Sequence, residues 1–231
     1  LSVPKVKVAL LGDTATQLLV TAIKGEAVDR GLSLDIYEGE YNQVERQLMD
    51  PTSELYEFDA TITIIFQSTH KLGEYHSSLS TEQQERLADD RLSFISSLCE
   101  SPSFANKKII YFNYPEIEDT VFGSYANKVV SSFSYQVRKL NYELMNLARQ
   151  YPNLFICDIA GLQNVFGRRF MFAPNVYMTT EMVFSVNALP YIASRTVDII
   201  SAFRGQFRKC LILDLDNTVW GGVIGDDGLE G

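Results

Sequence analysis

Short runs of β-forming residues recur along this chain at residues 6–11, 32–37, 60–66, 108–112 and 154–157, and stretches of helical spacing separate them. That alternation is the strongest constraint on the fold. Strands joined by long connections cannot be hairpin partners and must lie parallel, which requires crossovers of a dozen or more residues. Parallel strands bury both faces, so helices have to cover the sheet on either side. The expected architecture is α/β, a three-layer αβα sandwich around a parallel, flavodoxin-like sheet. Ligands in such sheets bind beyond the carboxyl ends of the strands. The segments to inspect are residues 12–16, 37–41, 67–76, 113–125 and 158–163.

Residues 6–11 end in Gly12-Asp13-Thr14, after which Leu18, Leu19, Ala22, Ile23 and Val28 keep helical spacing up to Gly31. A second helix is expected near residues 42–49. Residues 67–79 are polar and read as a loop, and Thr81 with Gln84 reads as a capping box opening a helix to about Leu98. From Asn127 the residues Val130, Phe133, Val137, Leu140, Leu144 and Leu147 mark one face of a long amphipathic helix that stops at Tyr151-Pro152-Asn153. A last helical segment is expected over residues 182–203, kinked or split by Pro190. Residues 209–215 read as a sixth strand.

With 231 residues, a prior of about 150 residues per domain gives one and a half domains. The first five residues, Leu1 to Lys5, carry neither a signal-peptide pattern nor an initiator Met, and read as the start of a piece excised from a longer chain. No apolar stretch approaches the ~20 residues of a membrane span. Twenty basic against 29 acidic residues, a net charge of -9, disfavour binding to nucleic acid or an anionic membrane. Cys99, Cys157 and Cys210 are odd in number and widely spaced, which suggests neither a disulfide framework nor a zinc site and fits a reducing cytoplasm.

The densest chemistry is near the end, in Leu211-Ile212-Leu213-Asp214-Leu215-Asp216-Asn217-Thr218-Val219-Trp220-Gly221-Gly222. A buried strand here runs into two acids, and period two puts Asp214 and Asp216 on one side. Two such carboxylates can divide labour, one attacking phosphorus and the other moving the leaving-group proton. A divalent cation is expected with them, and Mg²⁺ favours a few oxygen ligands plus water. The plain alternative is a strand entering an acidic turn, since Asp-Asn and Gly-Gly commonly make turns.

This stretch resembles the first motif of the haloacid-dehalogenase (HAD) phosphotransferase superfamily. The resemblance implies Asp214 as the nucleophile that becomes an aspartyl-phosphate, Asp216 as general acid/base, and Mg²⁺ held by the Asp214 carboxylate and the Asp216 carbonyl. Thr218 would support the loop, with Gly221 and Gly222 in the flap that follows. The wording over residues 209–231 is similar to the FkbH-like branch. Those proteins join an α/β domain to a HAD domain, dephosphorylate an activated glycerate derivative and load it onto an acyl carrier protein. A phosphorylated small-molecule substrate and a carrier partner are what that resemblance implies. A HAD site also needs a later Ser or Thr, a Lys and an acidic pair, and only fifteen residues follow Asp216. Asp226, Asp227 and Glu230 lie too near it to be that pair. The fragment is therefore expected to be inactive, with residues 1–204 forming one domain and 205–231 the beginning of a second.

The larger domain resembles the SGNH hydrolases, whose nucleophile sits in a Gly-Asp-Ser turn after the first strand. Here Thr14 stands where the Ser would be. The family's Asp-x-x-His motif is missing from the last third, where no His occurs, and Gln67-Ser68-Thr69-His70 replaces the expected Gly-x-Asn-Asp. These departures point to a degenerate site at Asp13, Thr14 and Asn113, with an esterase using Thr14 as the alternative. The two histidines, His70 and His76, could line a pocket at the sheet's carboxyl edge, with solvated loop positions the commoner case. Arg168-Arg169 and the cluster Arg204, Arg208 and Lys209 are candidates for steering an acidic carrier protein. Basic residues complementing helix C-termini are the simpler explanation of both clusters.

Overall fold

The computed structural model describes residues 5–119 and 121–205. The expected strand at residues 209–215 and the motif residues Asp214, Asp216, Thr218, Gly221 and Gly222 lie outside the described residues. The chain divides into two compact units, Leu1–Ile200 and Ser201–Gly231; of the second, only the end of a helix and the turn at Gly205 are described.

The chain runs β1 (Val6–Gly12), α1 (Gln17–Asp29), β2 (Leu34–Glu38), α2 (Val44–Met49), α3 (Glu54–Phe58), β3 (Ile62–Phe66) and α4 (Thr69–Ser78). It continues through α5 (Thr81–Gln84), α6 (Leu87–Glu100), β4 (Lys108–Phe112), α7 (Phe133–Gln150) and β5 (Leu154–Cys157). The last elements are α8 (Ile159–Phe166), α9 (Arg168–Met171), α10 (Pro174–Thr180) and α11 (Leu189–Phe203). All strand pairs are parallel, in the order β2-β1-β3-β4-β5. The sequence-based expectation of a parallel, flavodoxin-like sheet holds.

Both faces of the sheet are buried, as the composition of its strands requires. Ala9, Leu11, Ile65, Ile109 and Tyr111 face a core completed by Leu48, Leu55, Ile95, Val137, Leu140 and Leu144 from the helices. The alternate residues Val8, Leu10, Ile64, Ile110 and Phe112 are equally buried and face the other way. On that second side the Cys157 thiol lies 3.7 Å from Thr196 of α11, and Arg30 at the end of α1 reaches Ser194 and Asp198 of α11.

Four local expectations are corrected. The polar stretch 67–79 is mostly helix: Ser68 caps α4 by accepting from the Lys71 N–H, and the buried face consists of Thr69, Leu72 and His76. One aliphatic residue on that face gives too faint a period to detect in sequence. The capping box lies one residue earlier than expected, between Ser80 and Gln83, and the helix breaks at Arg86 before α6 begins. The long helix starts at Phe133 behind a Ser132 cap, which leaves Val130 outside it and 43% exposed. Pro190 kinks nothing. It occupies the first turn of α11, where a missing N–H has no cost, and residues 182–188 are not helical.

The break between α5 and α6 is held by one buried side chain. Gln136 accepts from the Ala88 N–H at 2.9 Å and donates to the carbonyls of Glu85 and Val130 at 3.0 and 2.7 Å. It thereby serves the backbone groups that a helix end leaves without partners. Gln136→Leu keeps the volume and strands those groups, each costing about 1–3 kcal/mol. Urea unfolding should show a loss of roughly 3 kcal/mol or more.

Candidate functional site

In a sheet ordered β2-β1-β3-β4-β5, the chain leaves β1 toward both neighbours, so a crevice opens at the carboxyl ends of β1 and β3. The β1–α1 turn there is tight enough to require glycine: a Cβ on Gly12 would lie 2.4 Å from the Thr16 side chain. Thr16 in turn donates to Glu38 at the end of β2 at 2.6 Å. Asp13 joins this turn to the next strand. Its N–H donates to the Phe66 carbonyl at 3.2 Å, and both carboxylate oxygens accept from the Ser68 N–H at 2.9 Å. Burial pushes the Asp13 carboxyl up to about 7, against the opposing influence of the Ser68 hydrogen bonds and the Arg91 and Lys71 charges.

Beside Asp13 lies a cavity of about 490 Å³, lined by Glu45, Gln67, Lys71, Tyr75, Arg91 and Phe94 among others. Gln67 and Arg91 of its lining belong to a hydrogen-bonded relay that continues into the core. Arg91 Nη1 donates to Gln67 Oε1 at 3.0 Å, Tyr111 donates to the same oxygen at 2.8 Å, and the Tyr111 and Tyr114 hydroxyls meet at 2.6 Å. Asn141 of α7 holds the peptide of Tyr114, accepting from its N–H at 2.9 Å and donating to its carbonyl at 2.7 Å. Arg91 escaped the sequence reading, although a signal existed. It shares the stripe of α6 on which Leu87, Ala88, Ile95 and Leu98 are buried, so a charge sits on a core-facing helix position.

The other candidate residues are placed apart. Thr14 is 1% exposed, and its hydroxyl has no hydrogen-bond partner among the described residues. The segment after α10 covers its turn. The Ala15 N–H donates to the Glu181 carbonyl, Phe172 bridges to Phe184, and Phe184 stacks on Phe66 at 5.0 Å. Asn113 belongs to a different neighbourhood, donating to Asp158 at 2.7 Å and accepting from the Ala160 N–H at 2.9 Å. It lines a second cavity of about 650 Å³ together with Arg138, Asn141 and Arg168. Arg168 and Arg169 are exposed on α9 and form no ion pair among the described residues.

The histidines are not solvated loop residues. Both lie on α4. His76 is buried with Nε2 2.8 Å from the Ser131 carbonyl, while His70 packs edge-on to Phe172 and against Tyr177, with Nδ1 unpartnered among the described residues. Burial lowers the His70 pKa, and neither ring is hydrogen-bonded to the Thr14 hydroxyl as a general base would be. Cys99 and Cys157 are buried free thiols, pushed up by desolvation to about 11 and about 12, so neither is a ready nucleophile. Among the described residues no group of three His, Cys, Asp or Glu side chains could hold a metal, and no helix is long and apolar enough to cross a membrane.

Residues 7–201 match the family described as FkbH, N-terminal domain. The chain belongs to that family. A solved structure from Bacteroides fragilis, the N-terminal part of the protein BF1531 containing a phosphatase domain complexed with Mg, is 62% identical with a TM-score of 0.91. The match covers 98% of this chain and 59% of that one, so the chain spans well under two thirds of its relative's length. An acetyl xylan esterase, AlAXEase, shares the fold at 12% identity and a TM-score of 0.53, the match covering 84% of this chain and all (100%) of that one. The lipase Lip_vut3 from a goat rumen metagenome does so at 12% identity and 0.50, over 84% of this chain and 96% of that one. No curated protein sequence matches significantly. The α/β fold of this FkbH N-terminal domain is thus that of SGNH-type hydrolases.

The Asp13 carboxyl yields a sign-definite prediction. Its folded pKa, about 7, lies above the ordinary carboxyl value of 3.8, so between those values the folded state retains a proton that the unfolded chain gives up. Stability from this group is complete below about pH 3.8 and is lost as pH rises to about 7, an effect on the order of 4 kcal/mol. Asp13→Asn should flatten that slope in urea unfolding measured across the pH range; an unchanged slope would assign it to other groups.

Proposed function

We propose that the whole protein is a Mg²⁺-dependent HAD-type phosphatase and acyl-transfer protein, with Asp214 as its nucleophile and Asp216 as its general acid/base. The observation carrying this reading is Asp214-Leu215-Asp216-Asn217-Thr218 following a complete FkbH N-terminal domain, in a chain 62% identical to a protein that contains a phosphatase domain complexed with Mg. Asp214 would attack the phosphoryl group through one carboxylate oxygen, expelling the leaving group. Asp216 would protonate that leaving group and then take a proton from the water that frees phosphate. The donors suit a hard cation, since the Asp214 carboxylate and the Asp216 backbone carbonyl are both oxygens. Mg²⁺ supplies charge neutralisation of the phosphoryl oxygens when bound. Thr218, Gly221 and Gly222 would shape the loop and flap beside it.

In the full-length protein, Asp214→Asn should reduce phosphate release from a small phosphate ester by several orders of magnitude and leave the circular dichroism spectrum unchanged. Turnover equal to wild type would remove Asp214 from the nucleophile's role.

Residues 1–204 serve, in this reading, as a non-catalytic docking module, and an esterase reading has no support from the sealed Thr14 turn. The exposed Arg168-Arg169 pair, without an ion-pair partner among the described residues, favours an acidic acyl carrier protein as the docked partner. Replacing both with Glu should weaken carrier association about tenfold or more without altering turnover of the small ester. Added salt should weaken wild-type association in the same direction. Binding indifferent to both changes would place the contact elsewhere.

A further inference from the structure

The Arg91 guanidinium is a strongly buried cation at the β1/β3 crevice, with 14% of its side chain exposed. An arginine has five N–H donors in a planar fork. Both of its hydrogen bonds among the described residues come from Nη1, one to Gln67 and one to Glu45 at 3.2 Å. The Nε–Nη2 edge has no hydrogen-bond partner there, yet neither atom is a sealed-off buried orphan, so that edge is open to the cavity. The guanidinium carbon lies 5.8 Å from the centre of the Phe94 ring. Its carboxylate counter-ion is weak: Glu45 is 62% exposed and offers a single oxygen. The unpaired edge leaves donors of the fork free to receive a further acceptor from the cavity.

We infer that the crevice between β1 and β3 is a binding site for a small molecule bearing an oxyanion, a carboxylate or phosphoryl group received bidentately on the Nε–Nη2 edge of Arg91. That edge matches two oxygens of one planar or tetrahedral anion, the arrangement in which charge-assisted hydrogen bonds are strongest. Lys71 supplies a second cation on the cavity wall. Its ammonium sits 3.4 Å from both Glu74 and Glu181, ion-pair distances without hydrogen-bond alignment to Glu181, so it too has capacity to spare. A volume of about 490 Å³ suits a ligand larger than the anion alone, and the rest of the lining mixes polar Asn42, Gln83 and Tyr75 with acidic Asp13 and Asp90 and apolar Leu72 and Leu79. The inference stands whether or not the phosphatase assignment does.

The test is a titration of the 231-residue chain with inorganic phosphate in one arm and acetate in the other, at fixed ionic strength made up with chloride. The reporter is the Arg91 Nε–H resonance, assigned by its loss in Arg91→Lys. Saturable movement of that resonance is expected, with the tighter anion identifying the ligand's acidic group. Arg91→Lys keeps the charge but loses the fork, and should bind that anion about tenfold more weakly, followed on backbone amides of residues 67–71. Glu45→Gln, at an exposed position, removes the competing carboxylate and should tighten binding roughly threefold. No saturable response to either anion, or a Glu45→Gln variant with unchanged affinity, would overturn the site.

Discussion

The carboxyl ends of β1 and β3 are held together by the Asp13 side chain, which takes the Ser68 N–H on both oxygens while its own N–H bonds Phe66. Most of what surrounds the crevice depends on that bridge. Ser68 is both Asp13's partner and the cap of α4, so one acid sets where α4 starts and hence where Lys71, Tyr75 and His76 point. Gln67, one residue earlier, is presented to Arg91 and Tyr111. Holding an acid this deeply has a consequence, a carboxyl poised near neutrality, and it makes the bridge sensitive to pH in a way an Asn would not be.

The two sides of this sheet edge have diverged in use. At Thr14, the position matching a hydrolase nucleophile, the turn is buried and tied at Ala15 to the Glu181 carbonyl. The hydroxyl is left without a partner, which costs stability and gains no chemistry. A short distance along the edge the crevice is open and charged, lined by Arg91 and Gln67, with Tyr111 and Tyr114 bonded behind them. Among the described residues the Thr14 hydroxyl has no hydrogen-bonded base, while the fold retains a concave, polar place for a ligand where such sheets usually bind one.

Much of the fold was legible in the chain. The five strands, the helix stripe of α7 and the polar caps follow from local periodicity, and periodicity is a property of neighbours in sequence. The errors came where local and tertiary signals part. The polar run 67–79 folds as α4 because Thr69, Leu72 and His76 find burial against distant residues such as Ser131 and Phe133. The helix expected from Ser80 onward is broken at Arg86 because Gln136, fifty residues away in sequence, repairs the break. The histidines read as solvated because only packing could place them otherwise.

The sequence by itself determined a parallel α/β domain, the family resemblance of Asp214-Leu215-Asp216-Asn217-Thr218, and the absence of histidine from residues 77–231, since each is a matter of residue type and position. The tertiary structure alone decided that Thr14 is sealed, that Asn113 bonds Asp158 rather than Asp13, and that Arg91 lies beside Asp13 with one edge unpaired. Those are relations between side chains brought together by crossover connections. No spacing rule reaches across a right-handed β-α-β turn to say which of two buried groups will meet.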